Sequence, residues 1–108
     1  MGTSTPWGTA DYSKRIAQGI MSYGTPSHGG FHVSPVRQKE MPEILRMDNG
    51  WYEEDCDWCL VVLAFSRYFN ETEYKQAKDT LRNWHPDKYE QYFGVKLTPE
   101  ESYMRRQK

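Results

Sequence analysis

Aromatic rings make up an unusual share of this chain's apolar side chains. Four Trp, eight Tyr and four Phe outnumber the thirteen Ile, Leu and Val residues. A low aliphatic content favours disorder only when net charge is high and aromatics are few, whereas here the formal net charge is −1 and 15 % of residues are aromatic. Each ring can bury roughly 150–250 Å². A compact core rich in rings is therefore predicted, in a single domain over residues 1–108.

Charge and hydropathy exclude several classes of protein. Fourteen basic residues against fifteen acidic ones argue against direct nucleic-acid binding, which draws on a surplus of Lys and Arg. No apolar run approaches the 18 residues of a membrane span, and the first residues lack a basic and apolar signal segment. A cytoplasmic protein without a membrane segment is expected. Two cysteines do not form a disulfide framework, and no cofactor is predicted.

The predicted fold class is α+β, with a small N-terminal antiparallel sheet packed on three to four helices. Glycine-rich turns and short apolar runs at Tyr12–Tyr23 and Phe31–Val33 indicate strands. Residues of about 52–69 are apolar on nearly every helical face, which predicts a buried helix at the centre of the domain. Asn70 with Glu73 predicts the capping box of the next helix. Pro86 ends that helix and opens another.

Acidic residues accumulate at the predicted start of the central helix. Between Arg46 and Arg67 there are five acids and no base. Such carboxylates either stabilise the helix dipole or form a docking surface for a basic partner, and the sequence leaves both open. Exposed Trp and Tyr residues nearby would act as anchors, since these types dominate binding hot spots. The predicted partner-binding residues are Trp7, Trp51, Tyr52, Glu53, Glu54, Asp55 and Asp57.

The segment Ser27–His32 is a candidate ligand loop. Gly29 and Gly30 would let the backbone approach a ligand closely, and His28 or His32 could act as an acid or base. A plain turn is the favoured interpretation. No nucleophile motif accompanies the loop, so no catalytic residue is assigned.

A metal site is the alternative use of the same histidines. His28 and His32 with Cys56 and Cys59 supply two imidazoles and two thiols, a set that suits tetrahedral zinc. The cysteine pair falls inside a predicted helix instead of a knuckle turn, so buried thiols are favoured and no metal ligand is assigned. A small histidine- or zinc-dependent enzyme is the alternative function.

A third pattern is His85-Pro86-Asp87, which follows a helix bearing outward Lys and Arg residues. It resembles the His-Pro-Asp signature of J-domain co-chaperones, and the resemblance implies recruitment of an Hsp70. The long third helix of that family has no counterpart here. A simple helix stop at Pro86 is the favoured interpretation.

The chain as a whole resembles a family of small uncharacterised proteins carried by phages and plasmids. The residues that carry the resemblance are Thr5-Pro6-Trp7-Gly8, Ser27-His28-Gly29-Gly30-Phe31-His32-Val33-Ser34-Pro35, Met41-Pro42, Tyr52-Glu53-Glu54-Asp55-Cys56-Asp57-Trp58 and Pro86-Asp87 with Tyr89-Glu90. It implies an accessory role in a bacterial host's cytoplasm. We expect a non-enzymatic inhibitor of a host defence or nucleic-acid-processing protein, whose partner presents a basic surface.

Overall fold

A computed structural model describes residues 3–107, which form two antiparallel sheets and five α-helices. The α+β fold class is confirmed. The strands are β1 (Ser4–Thr5), β2 (Gly8–Thr9), β3 (Tyr12–Ala17), β4 (Ile20–Gly24), β5 (Gly29–Val33) and β6 (Trp51–Glu53). The helices are α1 (Pro35–Gln38), α2 (Trp58–Ala64), α3 (Glu71–Trp84), α4 (Pro86–Phe93) and α5 (Tyr103–Arg106), with 3₁₀ turns at Glu43–Leu45, Ser66–Tyr68 and Pro99–Glu101.

The main sheet keeps the order of the chain, β3-β4-β5-β6, and every neighbouring pair is antiparallel. In its register Phe31 lies opposite Tyr52, and His32 opposite Trp51. Side chains alternate between the two faces of a strand, so Tyr52 and Trp51 point to opposite sides. β1 and β2 form a separate small hairpin with Trp7 in its turn.

The helices cover one face of the main sheet, and the core lies between them. Ile20, Val33 and Tyr52 on that face are at most 1 % exposed. α2 supplies five consecutive buried residues, Cys59–Leu63, and α3 packs on it through Ala77 and Leu81. Burying a side chain the size of Leu stabilises the fold by about 1.5–3 kcal/mol, so α2 is the centre of the domain.

Several local signals are confirmed. The Asn70 side chain accepts from the Glu73 N–H, and the Glu73 carboxylate accepts from the Asn70 N–H, which closes the predicted capping box. Ser34 caps α1. Gly94 ends α4 in the left-handed region, at φ 67°, where glycine is favoured because it lacks a Cβ.

The prediction of one central helix over 52–69 is wrong at both ends. Residues 51–53 form strand β6, α2 spans only Trp58–Ala64, and Ser66–Tyr68 is a separate 3₁₀ turn. A segment that is apolar on every side has no hydrophobic periodicity by which a strand could be told from a helix. Residues 51–53 form a strand because they pair with β5. Of the five α-helices formed by residues 3–107, α1 and α5 are only four residues long.

Within the described residues, no helix combines the length and apolar character needed to cross a bilayer.

Candidate functional site

The face of the main sheet opposite the helices carries a cluster of aromatic rings around Trp51, and we call it the outer sheet face. The indole of Trp51 lies 4.4 Å from the His32 ring, 5.6 Å from Trp7 and 5.8 Å from Tyr23, between ring centroids. All four rings are half-buried. Glu53 follows Trp51 on the same side of β6. The predicted residues Trp7, Trp51, His32 and Glu53 are therefore brought together.

Gly30 is what allows Trp7 to join this cluster. A Cβ at Gly30 would lie 2.6 Å from Trp7 Cη2 and would overlap the Tyr52 carbonyl oxygen. The sequence suggested that this glycine lets a ligand approach the backbone, and in the structure the groups that approach it belong to Trp7 and Tyr52.

The loop prediction over Ser27–His32 holds only for its first part. Thr25 and His28 form the turn between β4 and β5, in which Thr25 N–H donates to the His28 carbonyl at 2.7 Å. Gly29 and Gly30 lie inside strand β5 and do not have positive φ. His32 is half-buried on the outer sheet face, and burial lowers the pKa of its imidazole. The neutral ring is favoured there.

The prediction that Tyr52 is an exposed anchor is wrong, because it is fully buried at 0 % exposure. Its hydroxyl accepts from the Met47 N–H at 2.9 Å and donates to Gln38 Oε1 at 2.5 Å. Burial raises the pKa of the phenol. Tyr23, which is half-buried, takes the place beside Trp51 that was expected for Tyr52. The alternation of strand residues is the signal that would have found it.

The acidic block does not lie in the first turn of a helix. Glu53 is in β6, Glu54 and Asp55 lie in the turn that follows, and α2 has no acid in its first turn. The dipole interpretation is therefore wrong for these three residues. Within residues 3–107, none of the three has a Lys or Arg nitrogen within 4 Å. Burial, and then the neighbouring carboxylate of Asp55, raise the pKa of Glu53, as expected where carboxylates lie close together.

The same turn brings two groups of possible metal ligands together. His28, Glu53 and Asp55 form one, and Cys56, Asp57 and His85 form the other, with the ligand atoms of each group within 4.8 Å of one another. The first group contains two exposed residues, whereas all three members of the second are half-buried.

The four residues of the predicted zinc alternative are not brought together as a set. His32 stacks on Trp51, and Cys59 is fully buried in the core, where its thiol donates to the Cys56 carbonyl at 3.2 Å. Burial raises the pKa of Cys59 to about 12. Cys59 is thus the small buried thiol that was favoured. Cys56 instead meets His85, a residue that no spacing in the sequence links to it.

A thiol, a carboxylate and an imidazole are also the groups of nucleophilic catalysis. In this cluster, however, burial and then the carboxylate of Asp57 raise the pKa of the Cys56 thiol. A nucleophilic cysteine needs a lowered pKa to supply the thiolate.

His85-Pro86-Asp87 lies at the junction of α3 and α4. His85 is the last residue before Pro86 begins α4, which confirms the helix stop. Its imidazole is directed at Cys56 and Asp57, and Asp87 binds Arg105 at 2.6 Å. Recruitment of an Hsp70 through these residues stays a prediction.

Comparison with known proteins gives a family but no activity. No curated protein and no solved structure has a significant match to this chain. A family model described as a domain of unknown function (DUF7007) matches residues 1–108, and the chain belongs to that family.

Proposed function

We propose that this protein is a non-enzymatic binding protein whose outer sheet face engages a basic surface on another protein. The observation that carries the proposal is the position of Glu53. It follows Trp51 on the same side of β6, so the aromatic cluster continues into Glu53, whose carboxylate lies close to that of Asp55.

The charge of the 53–55 segment supports a cationic partner. Glu54 and Asp55 are exposed and Glu53 is half-buried, and within the described ranges they lack the arginine partners that Glu40, Asp79 and Glu90 have. Complementary charges of this kind speed association and set its salt dependence more than they add affinity. A Lys- or Arg-bearing surface would neutralise the charges of Glu53 and Asp55 together.

The aromatic cluster supports protein as the class of partner. Trp and Tyr are enriched among the residues that dominate protein–protein affinity. Trp51 is held between Trp7, Tyr23 and His32, so it has little side-chain freedom left to lose on binding. A rigid, half-buried indole beside unpaired carboxylates offers both an anchor and an electrostatic guide.

The test compares two variants that remove the same charge. One carries Glu53→Gln, Glu54→Gln and Asp55→Asn. The control carries Glu43→Gln, Glu71→Gln and Glu100→Gln, at three exposed acids elsewhere. With each protein as bait in lysate of the source organism, a stoichiometric partner should be captured by wild type and control, and much less by the first variant.

Kinetics on the captured partner separate the two contributions. We expect the first variant to associate more slowly and with a weaker dependence on salt, and Trp51→Ala to weaken binding about tenfold or more. Equal association rates for the two triple variants would contradict the proposal. So would recovery of the protein alone together with turnover of a small phosphorylated or nucleotide substrate.

We further propose that the protein serves a phage or plasmid as an inhibitor of a host defence or nucleic-acid-processing protein in the bacterial cytoplasm. Support for this step comes from the family resemblance and from the acidic character of the 53–55 segment, which matches the basic grooves of nucleic-acid-binding proteins. Identification of the captured partner tests it, and a partner without a basic groove would contradict it.

A further inference from the structure

We propose that Cys56, Asp57 and His85 form a zinc-binding site with three protein ligands and one open coordination position. The three side chains offer sulfur, oxygen and nitrogen, the donor types that Zn²⁺ takes in proteins. Their donor atoms lie within 4.8 Å of one another. The site is independent of the binding function proposed for the outer sheet face.

The two distances from Asp57 to its neighbours match the edges of a tetrahedron around a metal ion, and the third, between Cys56 and His85, is within 4.8 Å. Cys56 Sγ lies 3.7 Å from Asp57 Oδ1, and His85 Nε2 lies 3.5 Å from the same oxygen. Zinc bonds of 2.0–2.3 Å separate neighbouring ligand atoms by about 3.3–3.7 Å in tetrahedral geometry. A charge-assisted hydrogen bond would hold nitrogen and oxygen at about 2.7–2.9 Å. Both distances to Asp57 Oδ1 therefore leave room for an ion bound by the three side chains, and His85 Nε2, which now lies 3.3 Å from the Cys56 carbonyl oxygen, would turn to that ion.

Asp57 has a second feature that a ligand role explains. It is the N-cap residue of α2, where an aspartate ordinarily accepts from the backbone of the first turn. Its side chain makes no such capping bond. The carboxylate is directed at Cys56 and His85 instead.

Burial favours this group over the neighbouring one at His28. Side-chain exposure is 22 % for His85 and 21 % for Asp57, so the ligands are shielded on the protein side and still open to solvent on the other. Three protein ligands with a solvent-facing fourth position are the arrangement of reactive zinc sites, whereas structural sites have four. We expect water or a small anion at the fourth position.

The cation would also join two distant parts of the chain. Cys56 and Asp57 lie in the turn before α2, while His85 lies 28 residues beyond Asp57, between α3 and α4. Because only the folded state holds these ligands together, zinc binding should stabilise the fold.

The experiment uses the full chain stripped with a chelator and titrated with ZnCl₂ against a chromogenic competitor. We expect one zinc per chain and a rise in melting temperature. The Co²⁺ form should show the intense visible bands of tetrahedral coordination and a thiolate charge-transfer band. Cys56→Ser and His85→Gln should each weaken zinc binding about tenfold or more. Cys59→Ala and His28→Gln are the matched controls and should bind like wild type.

Absence of stoichiometric zinc binding by wild type overturns the proposal. The proposal is also overturned if His28→Gln loses zinc binding while His85→Gln keeps it, because the ion would then lie at His28, Glu53 and Asp55. Melting temperatures in chelator identify any variant that fails to fold. A second test uses only the wild-type protein and measures the rate at which an alkylating reagent labels Cys56. Zinc should slow this rate about tenfold or more, and equal rates with and without zinc would refute the site.

Discussion

The substitution Tyr52→Phe tests whether Tyr52 is the buried, hydrogen-bonded residue of the structure or the exposed binding residue that the sequence indicates. The change removes one oxygen and leaves the ring in place. It takes away the acceptor of the Met47 N–H at 2.9 Å and the donor to Gln38 Oε1 at 2.5 Å. A buried polar group left without its partner destabilises a fold by about 1–3 kcal/mol. In a domain of this size each kcal/mol lowers the melting temperature by about 4–8 °C, so we expect a fall of about 4–24 °C.

Urea unfolding followed by fluorescence and by far-ultraviolet circular dichroism measures the effect. The control is Tyr12→Phe, since Tyr12 is 55 % exposed and its change should stay within about 0.5 kcal/mol. If Tyr52→Phe is as stable as Tyr12→Phe, the burial argument is refuted.

The same pair of proteins gives a pH test. Burial raises the pKa of Tyr52 in the folded state, so above the ordinary tyrosine value of about 10 the unfolded chain loses this proton first. Its contribution to stability is complete below that value and declines as the pH rises toward the raised pKa. Tyr52→Phe lacks this decline. The difference in stability between wild type and variant should therefore narrow above about pH 10, and a constant difference would contradict the assignment.

Three further predictions concern the helices. Leu81→Ala should lower the free energy of unfolding by about 2–5 kcal/mol, because Leu81 is fully buried; a loss under about 1 kcal/mol in urea titration would contradict its place in the core. Asn70→Ala should cost about 0.5–2 kcal/mol by opening the capping box, whereas Asn70→Asp should preserve it; thermal unfolding ranks the two. Arg105, 3.0 Å from Glu90 Oε1, lowers the pKa of that carboxyl. The stabilisation from this pair is present above the ordinary glutamate pKa and is lost as the pH falls through the lowered value. Arg105→Gln should therefore make the free energy of unfolding fall less steeply with decreasing pH in the acid range. An unchanged pH dependence would contradict the assignment.

Local chemistry accounts for what the sequence predicts well. The capping box at Asn70, the proline start at Pro86 and the glycine end at Gly94 each depend on residues within one turn of one another. Pairings across the chain lie beyond such rules. Trp51–Glu53 becomes a strand because β5 offers it hydrogen bonds, and no local feature distinguishes it from the start of a helix.

The candidate site divides in the same way. Trp7, Trp51 and Glu53 lie together, although the alternation along β6 turns Tyr52 into the core and Glu54 toward Gly29. His85 reaches Cys56 only because α3 packs back along α2. The environment of Trp84, the last residue of α3, likewise depends on a distant part of the chain. Trp84 lies past the end of the core, 46 % exposed, against Tyr103.

The chain-ordered sheet leaves two free edges, and their character bears on how the protein behaves at high concentration. An open strand edge invites pairing with another copy and, from there, aggregation. The β3 edge carries Lys14 and Arg15, both exposed, so a second β3 would meet like charge. The β6 edge is only three residues long and ends in carboxylates. Both edge strands are thus poor templates for pairing with another copy of the chain. The outer sheet face can therefore stay accessible without the sheets of neighbouring molecules joining edge to edge.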